Sequence, residues 1–182
     1  EAINRQSENA RSTVVIVWLQ GDRAHWLNIG DSRLYHLSEG QRVMRTRDHS
    51  AVQLLMDLGE IDESEMATHP AQNRLYRCLG GEEPPKPDSG QMIVQPGDLL
   101  ALCSDGVWEH VPEAELWETA QANDPATAAR LLTARAAQRG GAAADNATLI
   151  LLRAGIAASE RRAPWLRGLL DDFKSFLNRD VR

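Results

Sequence analysis

Leu99-Leu100-Ala101-Leu102-Cys103-Ser104-Asp105-Gly106 is an apolar run that stops at an acid and a glycine. Such a run suits a strand buried on both faces. Asp105 then stands where the strand leaves the core, and Gly106 permits a sharp turn or the close approach of another group. A carboxylate in that place needs a hydrogen bond, an opposite charge or a metal ion. Two readings stand for Asp105: it caps a short helix over Val107 to His110, or it ligates a cation.

A second acid bears on that choice. Asp145-Asn146 directly precedes another strand-like run, Ala147-Thr148-Leu149-Ile150-Leu151-Leu152. If the two strands are antiparallel neighbours, both carboxylates fall at one sheet edge. There they repel unless a divalent cation lies between them. Oxygen donors without His or Cys favour magnesium, manganese or calcium over zinc. The alternative for Asp145 is a simple loop aspartate.

Composition narrows the class. The 182 residues suffice for one domain with a substantial core. The formal net charge of −6 argues against nucleic acid as the main partner. No apolar run approaches the roughly 20 residues that span a bilayer, so no transmembrane segment is expected, and no secretory signal opens the chain. Cys78 and Cys103 lie in apolar contexts without metal-type spacing. They read as reduced, buried cysteines of a cytoplasmic protein.

Residues 1–11 read as the end of a helix. Strands are expected over Thr13 to Leu19, Ala24 to Ile29, Leu34 to Leu37 and Arg42 to Thr46, punctuated by turns at Gln20-Gly21-Asp22 and Ser38-Glu39-Gly40-Gln41, in an antiparallel meander. The period then changes. Ala51 to Leu58 has helical spacing with Gly59 as a stop, Asp62 to Glu65 starts a second short helix, and Asn73 to Leu79 forms a third segment. Residues 48–88 thus read as a mostly helical insertion. A strand over Gln91 to Val94 follows, and the turn Gln95-Pro96-Gly97-Asp98 delivers the chain into the central run. Helices are expected over Pro112 to Ala122 and Asp124 to Arg139, with Asp124 as cap and Pro125 at the first position. In the tail, residues 156–182, Trp165, Leu169, Phe173, Phe176 and Leu177 lie near one helical face. That pattern reads as a terminal amphipathic helix that packs on its own domain or docks a partner.

In this order the motifs resemble the PPM family, the metal-dependent type-2C protein serine/threonine phosphatases, of the bacterial type. The matching residues are Ser12-Thr13-Val14, Asn28-Ile29-Gly30-Asp31-Ser32-Arg33-Leu34-Tyr35, Thr46-Arg47-Asp48-His49-Ser50, His69-Pro70-Ala71-Gln72-Asn73, Leu79-Gly80-Gly81, Pro96-Gly97-Asp98, Cys103-Ser104-Asp105-Gly106 and Asp145-Asn146-Ala147-Thr148. The resemblance implies an α+β fold: a four-layer α-β-β-α sandwich of two antiparallel sheets with outer helices. It implies a phosphatase domain over residues 1–155, with 48–88 as a flap beside the cleft, where His49, His69 and Asn73 have structural roles. Asp48-His49-Ser50 is expected to cap the next helix. The resemblance also implies that two divalent ions, Mn2+ or Mg2+, bridge the water or hydroxide that attacks phosphorus, with Asp105 and Asp145 as ligands. A third ion would use Asp31 together with Asp105. The implied partners are phosphoserine and phosphothreonine proteins, with a serine/threonine kinase as functional counterpart.

Two family motifs have no match in this sequence: an opening strand with an arginine and an acid, and an Asp-Gly-x-Gly-Gly loop. The expectation is therefore an active phosphatase whose first sixty or so residues, estimated roughly from domain size, precede Glu1. The alternative is a phosphatase-like domain that binds or regulates without catalysis.

Overall fold

The run Leu99–Cys103 is a strand, and every residue in it is buried. Its alternate side chains serve two cores. Leu99, Ala101 and Cys103 face one apolar cluster, while Leu100 and Leu102 face another. That double burial explains why the run lacks a polar face.

The structure, a computed structural model, describes residues 10–80 and 84–155. The strands are β1 (Val14–Gln20), β2 (Arg23–Ile29), β3 (Arg33–Ser38), β4 (Gln41–Arg45), β5 (Asp88–Ile93), β6 (Leu99–Cys103) and β7 (Leu149–Arg153). They form two antiparallel sheets, ordered β1-β2-β5 and β4-β3-β6-β7. Between the sheets Ala24, Leu34, Val94, Leu100 and Leu102 pack together with Val15, Val17 and Trp26.

The helices are α1 (Ala51–Asp57), α2 (Asp105–Trp108), α3 (Glu113–Ala122) and α4 (Pro125–Gly140). Leu116, Ala120, Ala128, Leu132 and Ala136 bring α3 and α4 onto the outer face of the four-stranded sheet. Asp124 caps α4 by accepting from the backbone N–H groups of Ala126 and Thr127, and Pro125 occupies the first turn, where no N–H is missed. The turn into β6 closes with the Asp98 N–H donating to the Gln95 carbonyl at 3.1 Å. Gly97 there has φ +95°, the value a type II turn demands.

Four expectations from the sequence need correction. The first four strands are not one meander. β1-β2 and β3-β4 are hairpins in different sheets, and the Gly30-Asp31-Ser32 turn carries the chain across between them. The insertion is less helical than its spacing indicates: beyond α1 its described residues have a single 3-10 turn, Glu63–Glu65. Residues 73–79 are held instead by isolated bridges, Ser50 to Leu75 and Ser12 to Leu79. Cys78 is only half-buried, while Cys103 is buried, with its thiol pushed up to about 12 by burial; both are free. Finally, the Asp48-His49-Ser50 cap reduces to Ser50, whose hydroxyl accepts from the Gln53 N–H; Asp48 and His49 are engaged elsewhere. Of the expected opening helix end over residues 1–11, residues 1–9 lie outside the described residues and Ala10 and Arg11 are not helical; the tail helix over residues 156–182 also lies outside the described residues.

Candidate active site

Three segments meet at one end of the four-stranded sheet. The first is the crossover turn. Gly30 has φ +105°, and a Cβ on it would lie 2.3 Å from the Thr13 methyl carbon, so only glycine fits. The hydroxyls of Thr13 and Ser32 share a hydrogen bond of 2.8 Å across this contact. From the other side the Trp108 indole N–H donates to the backbone carbonyl of Asp31 at 2.9 Å. Asp31 is 6% exposed.

The second and third segments are the end of β6 and the start of β7. These strands are antiparallel neighbours, with Cys103 opposite Leu149. Beyond the last pair, Ser104 clasps the facing loop. Its hydroxyl donates to the Asn146 carbonyl and accepts from the Thr148 N–H, each at 3.0 Å. Gly106 lies directly against that loop, where a Cβ would approach the Asn146 and Asp145 carbonyl oxygens to 2.9 and 3.2 Å. Asp105 and Asp145 are thereby brought to the same sheet edge. Each carboxylate also accepts from the next residue's N–H, Gly106 and Asn146 respectively.

Electrostatics tie the acids together. Burial, then the Asp105 charge, then Asp48 push the Asp31 carboxyl up to about 6. Glu109 is pushed up to about 7 by burial, then by Asp105, Asp31 and Asp145. The sequence reading of this acid edge does not include Glu109. The available signal was its spacing: four residues after Asp105 on a short helix puts both on one face.

The acids stand beside a polar scaffold. The Arg33 guanidinium forks onto Asp48, with Nε and Nη2 at 3.0 and 2.7 Å from its oxygens, and donates to the Tyr35 hydroxyl at 2.9 Å. It also stacks 3.5 Å over the Trp108 ring. Asp48 is fully buried and takes a second guanidinium, Arg45, at 3.3 Å. Arg33 is thus committed to this scaffold. A cleft of about 470 Å3 opens alongside, lined by Arg33, Glu63, Trp108, Glu109 and Glu113 among others.

The donor set suits hard divalent cations: clustered carboxylates, two of them holding protons more tightly than free acids do. Among the described residues no three His, Cys, Asp or Glu side chains are arranged to hold one ion. Asp31, Asp105 and Asp145 do not converge on a single cation, and they fit as partial ligand sets.

The described residues thus form an acid-edged pair of antiparallel sheets, flanked by an insertion and by helices on one outer face. A family model described as Stage II sporulation protein E (SpoIIE) matches residues 2–155. The serine/threonine phosphatase stp of Listeria innocua is 36% identical over 137 residues, which cover 75% of this chain and 54% of that protein. The S. agalactiae serine/threonine phosphatase structure superposes with a TM-score of 0.74 at 29% identity, covering 85% of this chain and 67% of that one. The catalytic domain of the phosphatase PstP, solved with two manganese ions, superposes with a TM-score of 0.69 at 30% identity, over 82% and 63% of the two chains.

The chain belongs to the PPM family of metal-dependent protein phosphatases, of the bacterial serine/threonine type. It spans about half the length of the Listeria relative.

Proposed function

We propose that this chain is part of a metal-dependent phosphatase that hydrolyses phosphoserine and phosphothreonine on proteins. The observation that carries the reading is the meeting of Asp31, Asp105, Asp145 and Glu109 at one sheet edge, where each of the two displaced carboxyls is acted on by its acidic neighbours. Such a concentration of negative charge has a purpose when cations are bound.

Asp105 and Asp145 would hold the two principal ions, Mn2+ or Mg2+, and Asp31 with Asp105 a third. Ions so held lower the pKa of water and neutralise the phosphoryl oxygens. The chain's own residues do the rest. The Ser104 clasp fixes the spacing of Asp105 and Asp145. Trp108, hydrogen-bonded to the Asp31 carbonyl and covered by Arg33, holds the backbone of the Asp31 turn in place. In the net reaction water oxygen bonds to phosphorus, the phosphorus–oxygen bond to the side chain breaks, and the serine or threonine oxygen leaves with a proton. The proposed setting is the cytoplasm, opposite a serine/threonine kinase; among the described residues no helix is long and apolar enough to cross a membrane. The proposed domain is residues 1–155, with 48–88 as the flap and 156–182 as a tail.

A second reading, a phosphatase-like domain without catalysis, draws on the absence of a three-acid cluster for one ion among the described residues. The deciding experiment measures phosphate release from a phosphothreonine peptide by the full-length gene product, with manganese, with chelator, and with Asp105→Asn. Manganese-dependent turnover lost in the variant supports the phosphatase. A folded, cation-binding protein without turnover supports the second reading.

A further inference from the structure

His49 is fully buried at the root of the insertion, yet it reaches the acid turn. Its backbone N–H donates to the Gly30 carbonyl at 2.9 Å, and its ring Nδ1 accepts from the Gly30 N–H at 3.1 Å. Both polar groups of Gly30 are therefore held by one residue. Gly30 is also the position where φ is +105° and where Thr13 leaves no room for a side chain. The next residue is Asp31.

The other end of His49 belongs to the insertion. Its carbonyl accepts from the Tyr76 N–H at 2.9 Å, the Tyr76 ring packs against the imidazole, and the neighbouring Ser50 bridges to Leu75. Because Nδ1 accepts, the ring proton sits on Nε2, which lies 3.1 Å from Asp88 Oδ2 but off the line of a hydrogen bond. Asp88 is in turn held by Arg77 at 3.0 Å. One side chain thus joins the insertion to the peptide that aims Asp31.

We propose that His49 is a positioning residue: by gripping both polar groups of Gly30 it fixes the Asp31 carboxylate for cation binding and couples it to the insertion. The inference rests on the phosphatase reading for its purpose, but its test does not depend on turnover. Outer residues that orient a metal ligand commonly change affinity by about ten- to a hundredfold when replaced.

The chemistry of the acceptor gives a discriminating pair of variants. Asn places an oxygen where Nδ1 stands, and Gln places its amide where Nε2 stands. In the full-length gene product, Mn2+ binding is measured by calorimetry for wild type, His49→Asn, His49→Gln, Asp31→Asn and the Gln/Asn double variant, with thermal melts alongside. The expected result is about tenfold weaker Mn2+ binding at the Asp31 site in His49→Gln, near-wild-type binding in His49→Asn, and no further loss when His49→Gln is added to Asp31→Asn. Wild-type binding in His49→Gln, equal damage in the Asn and Gln variants, failure of both to fold, or a fully additive double variant would each overturn the proposal. A protein that binds Mn2+ in the expected series but releases no phosphate overturns the phosphatase reading and leaves the positioning role intact.

Discussion

Alanine at position 106 sets two physical effects against each other. Gly106 is the second residue of α2, where alanine would stabilise a helix by up to about 1 kcal/mol. The added Cβ, however, would stand 2.9 Å from the Asn146 carbonyl oxygen, and its three nearest neighbours are all backbone atoms. Ordinary contact would require the 145–146 loop to retreat by roughly half an ångström, but Ser104 grips that loop at both Asn146 and Thr148. Overpacking of this kind costs about 1–3 kcal/mol. The net expectation for Gly106→Ala is a loss of about 1–2 kcal/mol, or a Tm lower by about 3–6 °C for a domain of this size. The same retreat draws Asp145 away from Asp105, and the half-saturating Mn2+ concentration should rise about tenfold. Thermal melts and a manganese titration of phosphatase activity test both parts. A Tm at or above wild type, as helix propensity alone demands, would refute the steric argument.

Other perturbations probe the same frame. Ser104→Ala removes both clasp hydrogen bonds and leaves the Thr148 N–H without its partner; urea unfolding should show a loss of about 1–3 kcal/mol. Arg33→Ala strands the buried Asp48 carboxylate with only the longer Arg45 contact, and a loss of about 3–5 kcal/mol is expected by the same method. In chelator, the Asp31 carboxyl, raised from 3.8 to about 6, keeps its proton longer in the folded chain than in the unfolded one. Its stabilising effect is therefore complete below pH 4 and is lost as pH rises through 6, a change of roughly 2–3 kcal/mol. Asp31→Asn should flatten that part of the stability profile between pH 4 and 7, and saturating Mn2+ should do the same in the wild type.

Strand β6 was readable because burial on both faces leaves no polar alternation, and the caps at Asp124 and Pro125 were readable because their chemistry is local. The neighbourhood of Asp105 and Asp145 followed from one assumption, antiparallel pairing of two apolar runs, which the register of Cys103 with Leu149 satisfies. The crossing between β2 and β3 was not readable. Alternating side chains look the same whether the next strand joins its own sheet or the facing one, and only the Thr13 contact shows why Gly30 turns as it does. Residues 73–79 misled for a similar reason. Their conformation is set by bridges to Ser12 and Ser50, far away in sequence, so local spacing had little to say. Asp48 looks like part of a helix cap because it precedes one, but its buried partner is Arg33, fifteen residues earlier.

Trp108 gives this site an optical handle. Its indole N–H is bonded to the Asp31 carbonyl, and a guanidinium lies 3.5 Å above the ring. Excitation moves electron density across an indole, so its emission energy follows the charges placed around it. A divalent cation settling among the carboxylates changes that field without touching the ring. The chain has five tryptophans, and the difference in emission between the wild type and Trp108→Phe isolates this one. Cation arrival at the acid edge can then be followed by fluorescence in real time, with no label attached and no substrate present.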